Sequence, residues 1–174
     1  MRRTASMGRN SVKENKNIYQ RTRESLGLSR EKASDLLETI PPERIEKIEN
    51  EKVVPYPEDI LTMAEKYKSP DLCNVYCSKQ CPIGRHYVPE VKIKDLSQIV
   101  LEMLASLNSM NRKKDRLIEI TSDGKIANDE IEDFINIQKE LERISVMVET
   151  LQLWVEKMLA TGAIDNESYH KNNI

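Results

Sequence analysis

Cys73, Cys77 and Cys81 fall within nine residues at a constant spacing of four, and Pro82-Ile83-Gly84-Arg85-His86 follow at once. Positions four apart on a helix share a face, about 6 Å apart along the axis, so three thiols would form a stripe. The helix must stop near Cys81 and Pro82, which lets Cys81 and His86 turn back towards the other two. Three thiolates and one imidazole are a donor set for tetrahedral zinc. Three thiolates alone could hold an iron–sulfur cluster with one open iron. The spacing differs from the paired knuckles of zinc fingers. The plain alternative is that the cysteines are small apolar groups packing a connector against its neighbours. Both readings stay open at the level of sequence.

A second set of residues suits phosphate chemistry. Arg21, Arg30, Arg44, Lys47 and Lys52 lie in one stretch of short helices. Residues 1–16 add Arg2, Arg3, Arg9, Lys13 and Lys16 against Glu14 alone, a basic arm that could lie along a nucleic-acid backbone. Short basic tails are more often simply solvated. The whole chain of 174 residues carries a formal net charge of −2, so no general affinity for polyanions is implied. Enzyme chemistry has little to stand on, and the chain reads as a non-enzyme. There is no nucleophile–base pair and no phosphate-cradling glycine loop, and the two histidines are His86 and His170.

The elements that must position these groups are helices. Hydrophobic residues make up 39% and charged residues 32%, with five glycines in the chain and no alternating β-branched runs, which together predict an all-α protein. Asn17 can cap a helix ending at Gly27. Ser29 can cap a second, with Ala33, Leu36 and Leu37 facing inward. Pro41 and Pro42 open a third, which buries Ile45 and Ile48 and ends near Asn50. A fourth follows Pro57 and buries Ile60, Leu61, Ala64 and Tyr67.

Within this stretch Arg23-Glu24, Gly27-Leu28-Ser29, Ile45, Ile48-Glu49-Asn50, Pro55, Ile60-Leu61 and Ala64 fall in step with a known pattern. The match covers about 50 residues and resembles the DNA-binding domain of Cro/lambda-repressor (Xre-type) regulators. The resemblance implies a four- to five-helix lambda-repressor-like domain that binds double-stranded DNA. The first residues of helix three would reach base edges in the major groove. On that basis Arg21, Arg30, Pro42, Glu43, Arg44, Lys47 and Lys52 are the DNA-contact candidates. Two features depart from the pattern. The link near Leu37 to Pro42 is one residue longer and lacks a turn glycine. Helix three opens with Pro41-Pro42-Glu43, a poor reading head, since proline offers no side-chain donor. The cysteine stretch resembles a segment that follows such domains in other regulators, a likeness that names no metal.

Beyond residue 92 the apolar positions from Leu96 to Ile118 and from Ile131 to Met158 keep a three-four repeat. They predict two long helices, broken at Thr121-Ser122-Asp123-Gly124, closing into an antiparallel hairpin. The stretch Glu119 to Glu130 echoes a calcium loop, but it begins with Glu and stands alone, so it reads as a turn. The division expected is a disordered basic tail over 1–16, a helix-turn-helix domain over 17–68 and a Cys-rich connector over 69–92. A dimerising hairpin over 93–161 and a polar tail over 162–174 complete it. The leading expectation is a cytoplasmic, sequence-specific transcription regulator acting as a homodimer, with no membrane segment. Two rivals are a degenerate helix-turn-helix module that binds protein instead of DNA, and a metal- or redox-sensing regulator using the three cysteines.

Overall fold

A computed structural model describes residues 15–171, and those residues form helices joined by turns. In chain order they are α1 (Ile18–Ser25), α2 (Arg30–Leu37), α3 (Pro42–Glu49), α4 (Pro57–Lys66), α5 (Asp71–Lys79), α6 (Gly84–Tyr87), α7 (Leu96–Ile120), α8 (Ile131–Thr161) and α9 (Asn166–Lys171). The all-α expectation holds. The basic arm expected at the amino terminus lies outside the described residues, apart from its last two positions. None of the described helices is long and apolar enough to cross a membrane.

The chain divides into two compact units. The first comprises residues 1–90 with 157–174, and the second comprises residues 91–156. The carboxy-terminal segment expected to be a separate polar tail therefore groups with the first unit, and part of it is the short helix α9.

In the first unit the caps are the ones the sequence announces. Asn17 Oδ1 accepts the Gln20 N–H at 3.0 Å, while Asn17 Nδ2 donates to the Ile48 carbonyl at 2.8 Å. One side chain thus starts α1 and ties it to the end of α3. Ser29 Oγ accepts the Lys32 N–H at the start of α2, and Pro42 stands at the first position of α3. Asp59 accepts the Tyr56 N–H at 2.8 Å at the start of α4. Tyr19, Ala33, Leu37, Ile40, Ile45, Ile48, Ile60, Met63, Ala64, Tyr67 and Leu72 then share one core. Leu61, expected to face inward, is 62% exposed.

Leu72 shifts an expected boundary. It is completely buried and belongs to α5, so the core does not close at residue 68. The stretch expected to be a connector is largely helical, and α5 packs on α4 because Leu72 completes that helix's apolar face. The short α6 then lies directly against α5. A methyl group at Gly84 would sit 2.1 Å from the Cys77 carbonyl oxygen, so only glycine permits this approach.

The longer link between α2 and α3 is accommodated by backbone strain. Glu38 adopts φ 61° and ψ −42°, and the Thr39 N–H bonds back to the Leu37 carbonyl at 2.6 Å. This is the γ-turn with positive φ, a rare and strained one. It delivers Ile40 to the core, where it is 1% exposed. Helices α3 and α4 end in Schellman motifs whose left-handed residue is Glu51 (φ 57°) and Lys68 (φ 53°). In these, Lys52 N–H bonds to the Lys47 carbonyl and Ser69 N–H to the Ala64 carbonyl, both at 2.8 Å.

In the second unit Asp95 caps α7, its Oδ1 accepting the Gln98 N–H at 2.9 Å. Arg116 meets Asp133 at 2.8 Å and Lys113 meets Glu140 at 3.3 Å, which sets α7 and α8 antiparallel as expected. Two acids of the calcium-like stretch are turned onto backbone amides, and Glu119 pairs with Arg116 at 2.8 Å. Asp123 accepts the Lys125 N–H and Glu130 accepts the Ala127 N–H.

A side chain in the left-handed region costs about 1–2 kcal/mol. Glu38→Gly, Glu51→Gly and Lys68→Gly should therefore each raise stability by about 0.5–1 kcal/mol, after allowing for the looser unfolded chain. Urea denaturation of the three single variants measures this, and a loss of stability at all three would refute the strain assignment.

Candidate nucleic-acid interface

The face at issue is built by α2, the turn Glu38–Pro41 and α3, and its geometry is set from inside. Glu49, on the last turn of α3, is 1% exposed. Arg23 of α1 grips it bidentately, Nε to Oε1 and Nη2 to Oε2, the latter at 3.0 Å. Arg30, on the first turn of α2, adds a bond from Nε to Glu49 Oε2 at 2.9 Å. Arg23 also donates through Nη1 to the Leu28 carbonyl. Burial works against the Arg23 charge, but the hydrogen bonds and charge of Glu49, with Glu24 beside it, outweigh this and hold the guanidinium above its ordinary range. Three helices are locked by one carboxylate.

Tyr67 stands against the same group. Burial, then the charge of Glu49, pushes its hydroxyl up to about 12. That hydroxyl has no hydrogen-bond partner among the described residues.

The seven sequence candidates separate into two groups. Arg30 is committed to Glu49. Arg44 is committed to Asp59, bidentate from Nε at 3.0 and 3.2 Å, and its guanidinium lies 4.3 Å from the centroid of the Tyr56 ring. The Asp59 hydrogen bonds hold Arg44 above its ordinary range against a smaller opposing effect of burial. Pro42 is half-buried, while Arg21, Glu43, Lys47 and Lys52 are exposed. The exposed charges of α2, the turn and α3 are Glu31, Asp35, Glu38, Glu43 and Glu46 against Lys32 and Lys47. Arg30 and Arg44 serve the fold, and the outward face is acidic.

Reading the sequence for phosphate contacts missed the Arg23–Glu49–Arg30 cluster. Its signal was present. Arg23 follows buried Tyr19 by four and Glu49 follows buried Ile45 by four, so both stand on core-facing stripes. Charges in such places require partners.

The cysteines do not assemble as a ligand set. Cys73 packs on the core of the first unit, and all three thiols are half-buried. Cys81 Sγ accepts the Gly84 N–H at 3.4 Å, and His86 is exposed beside Tyr87. Among the described residues, no three His, Cys, Asp or Glu side chains gather as a group able to hold a metal ion. The zinc and iron–sulfur readings thus lack the convergent geometry that they require. Instead the thiols border a tyrosine pair. Burial, followed by Tyr76, Cys73 and Cys77, raises the Tyr19 hydroxyl well above its ordinary range, and that hydroxyl donates to Gln80 Oε1 at 3.1 Å.

Comparison with protein families, with curated proteins and with solved structures gives no match for this chain.

Removing one partner of a buried ion pair strands the other's charge. Glu49→Leu should cost about 3–5 kcal/mol, and Arg23→Met a comparable amount, whereas the double variant should recover most of the loss. A double-mutant cycle in urea checks this, and strictly additive losses would show that the pair does not carry the lock. Tyr67→Phe removes an unpartnered buried hydroxyl and should leave stability unchanged or slightly raised.

Proposed function

We propose that this chain is a cytoplasmic DNA-binding transcription regulator of the Cro/lambda-repressor (Xre) type, acting as a homodimer. The observation that carries the reading is the pair of eight-residue helices α2 and α3, joined by a four-residue link and clamped through Glu49. The clamp leaves the outer side of α3, with Glu43, Glu46 and Lys47, exposed. A helix held in this way can enter a major groove without rearranging. The Xre-type residue pattern supports the same reading.

On this reading the phosphate contacts fall to the exposed Arg21, Lys32, Lys47 and Lys52, because Arg30 and Arg44 are engaged within the fold. Glu43 is the residue placed to accept from a cytosine amino group. The exposed acids oppose phosphates, so affinity for random sequence should be low. Sequence preference then rests on a few base contacts and on the shape of the duplex.

One observation favours the alternative of a protein-binding module. An acidic α2–α3 face with two lysines suits a basic protein segment better than it suits DNA.

Anisotropy of a labelled random duplex, titrated across a salt series, separates the two. Four phosphate contacts predict a log–log slope of about −3 to −4 per domain. Lys47→Gln should lower the magnitude of the slope by about 1. Glu46→Gln should tighten binding at every salt concentration. Absence of binding at the lowest salt, or binding indifferent to salt, would reject the DNA reading.

A further inference from the structure

We infer that Cys77 and Cys81 are a redox pair that hydrogen peroxide closes into a disulfide, and that closure unseats α6 from α5. The inference goes beyond the regulator reading and does not rest on it.

Position singles out this pair among the three thiols. A disulfide needs Cα atoms about 4.4–6.8 Å apart and Cβ atoms about 3.5–4.5 Å apart. Residues four apart on a regular helix meet the first condition, but their Cβ atoms stay about 5–6 Å apart. Cys73 and Cys77 both lie inside α5, so the helix keeps them from bridging. Cys73 is also packed on the core. Cys81 lies beyond Lys79, the last residue of α5, and beyond its cap, Gln80. Its backbone can turn towards Cys77 without breaking a helix interior.

Gly84 brings the two cysteines to one place. Its N–H faces Cys81 Sγ at 3.4 Å. Its α-carbon rests on the Cys77 carbonyl, where an added methyl group would stand 2.1 Å from the oxygen. Both cysteines are half-buried, which leaves them within reach of a small oxidant.

The chemistry balances between the pair and one peroxide. One thiolate attacks a peroxide oxygen, the O–O bond breaks, and the sulfur becomes a sulfenic acid as water leaves. The other sulfur attacks the sulfenic sulfur, forms the S–S bond and releases the hydroxyl as a second water. The two thiols lose two electrons, the peroxide gains them, and the thiol protons end in the two waters.

Closure has a structural consequence, because Cys81 stitches α5 to α6. Its N–H donates to the Tyr76 carbonyl at 3.0 Å, and its carbonyl accepts the Arg85 N–H at 3.0 Å. Drawing its sulfur to Cys77 withdraws it from the Gly84 amide and pulls the first turn of α6 away. Gln80 lies inside the closed loop and accepts the Tyr19 hydroxyl at 3.1 Å, so the change also reaches α1. A bond across so short a loop is strained, and thiols therefore reduce it readily. The pair is reversible.

Oxidation of the full chain by hydrogen peroxide, followed by alkylation and peptic mass mapping, tests this. The unaltered protein should lose two of its three free thiols. The fragment spanning Cys77 to Cys81 should become lighter by about two mass units. Hydrogen exchange at the Arg85 and Val88 amides should accelerate about tenfold or more, and dithiothreitol should reverse both changes. Cys73→Ala should oxidise as the parent does, whereas Cys77→Ala and Cys81→Ala should form no intramolecular bond. A bridge that includes Cys73, sulfinic acid in place of a bridge, or exchange unaltered by the closed bond overturns the inference. The mass and exchange measurements use the unaltered chain, so they decide the matter even where a variant fails to fold.

Discussion

The first unit depends on the carboxylate of Glu49. It is withdrawn from water and held by two guanidiniums from two other helices. Such an arrangement is weak as a source of net stability, because desolvating three charges costs about as much as their attraction returns. Its value is in what it forbids. A slip of α3 by one residue, or rotation of α2 about its axis, would leave a buried charge without a partner. Eight-residue helices have little intrinsic stability of their own, so orientation has to come from contacts between them. The aliphatic core supplies cohesion, and the charge cluster supplies direction.

With direction imposed from inside, the chain tolerates irregular connections. Glu38, Glu51 and Lys68 all occupy positive φ, where glycine is ordinarily found. Each is exposed and each ends a helix. The combined cost of these three positions is borne because the turns they make deliver Ile40 to the core and close α3 and α4 cleanly. The sequence is locally inconsistent at these points and globally consistent around them, a pattern found where tertiary packing overrides local preference.

Much of the fold was legible in the residues. Asn17, Ser29 and Pro42 announce their helices because capping and proline geometry are local properties of the chain. The long amphipathic repeats announce α7 and α8 because periodicity survives without tertiary knowledge. What was not legible was non-local. Leu72 lies beyond a proline in a cysteine-bearing stretch, and nothing local says that it belongs to the core. The partners of Arg30 and Arg44 lie 19 and 15 residues away in sequence, so the same arginines read from sequence as phosphate ligands. The cysteines left two readings open. Their regular spacing allowed either a ligand set or plain packing, and an i, i+4 stripe keeps neighbouring thiols about one turn apart. Cys81 is drawn instead to the amide of Gly84.

The engagement of the arginines bears on how the first unit would hold DNA under the proposed function. With three arginines spent on internal carboxylates and acids along the outer face of α2 and α3, the first unit has few cations left for phosphate. One such unit alone would release few counterions and hold DNA weakly. On the proposed homodimer reading, two copies would present twice the contacts, and the second would bind at the effective concentration set by the first. Weak half-site affinity then becomes an advantage for discrimination, since a single chance half-site retains neither unit. Under the proposed function, the acidic face of α2–α3 keeps each contact feeble, and pairing of two copies would make a correctly spaced pair of contacts count.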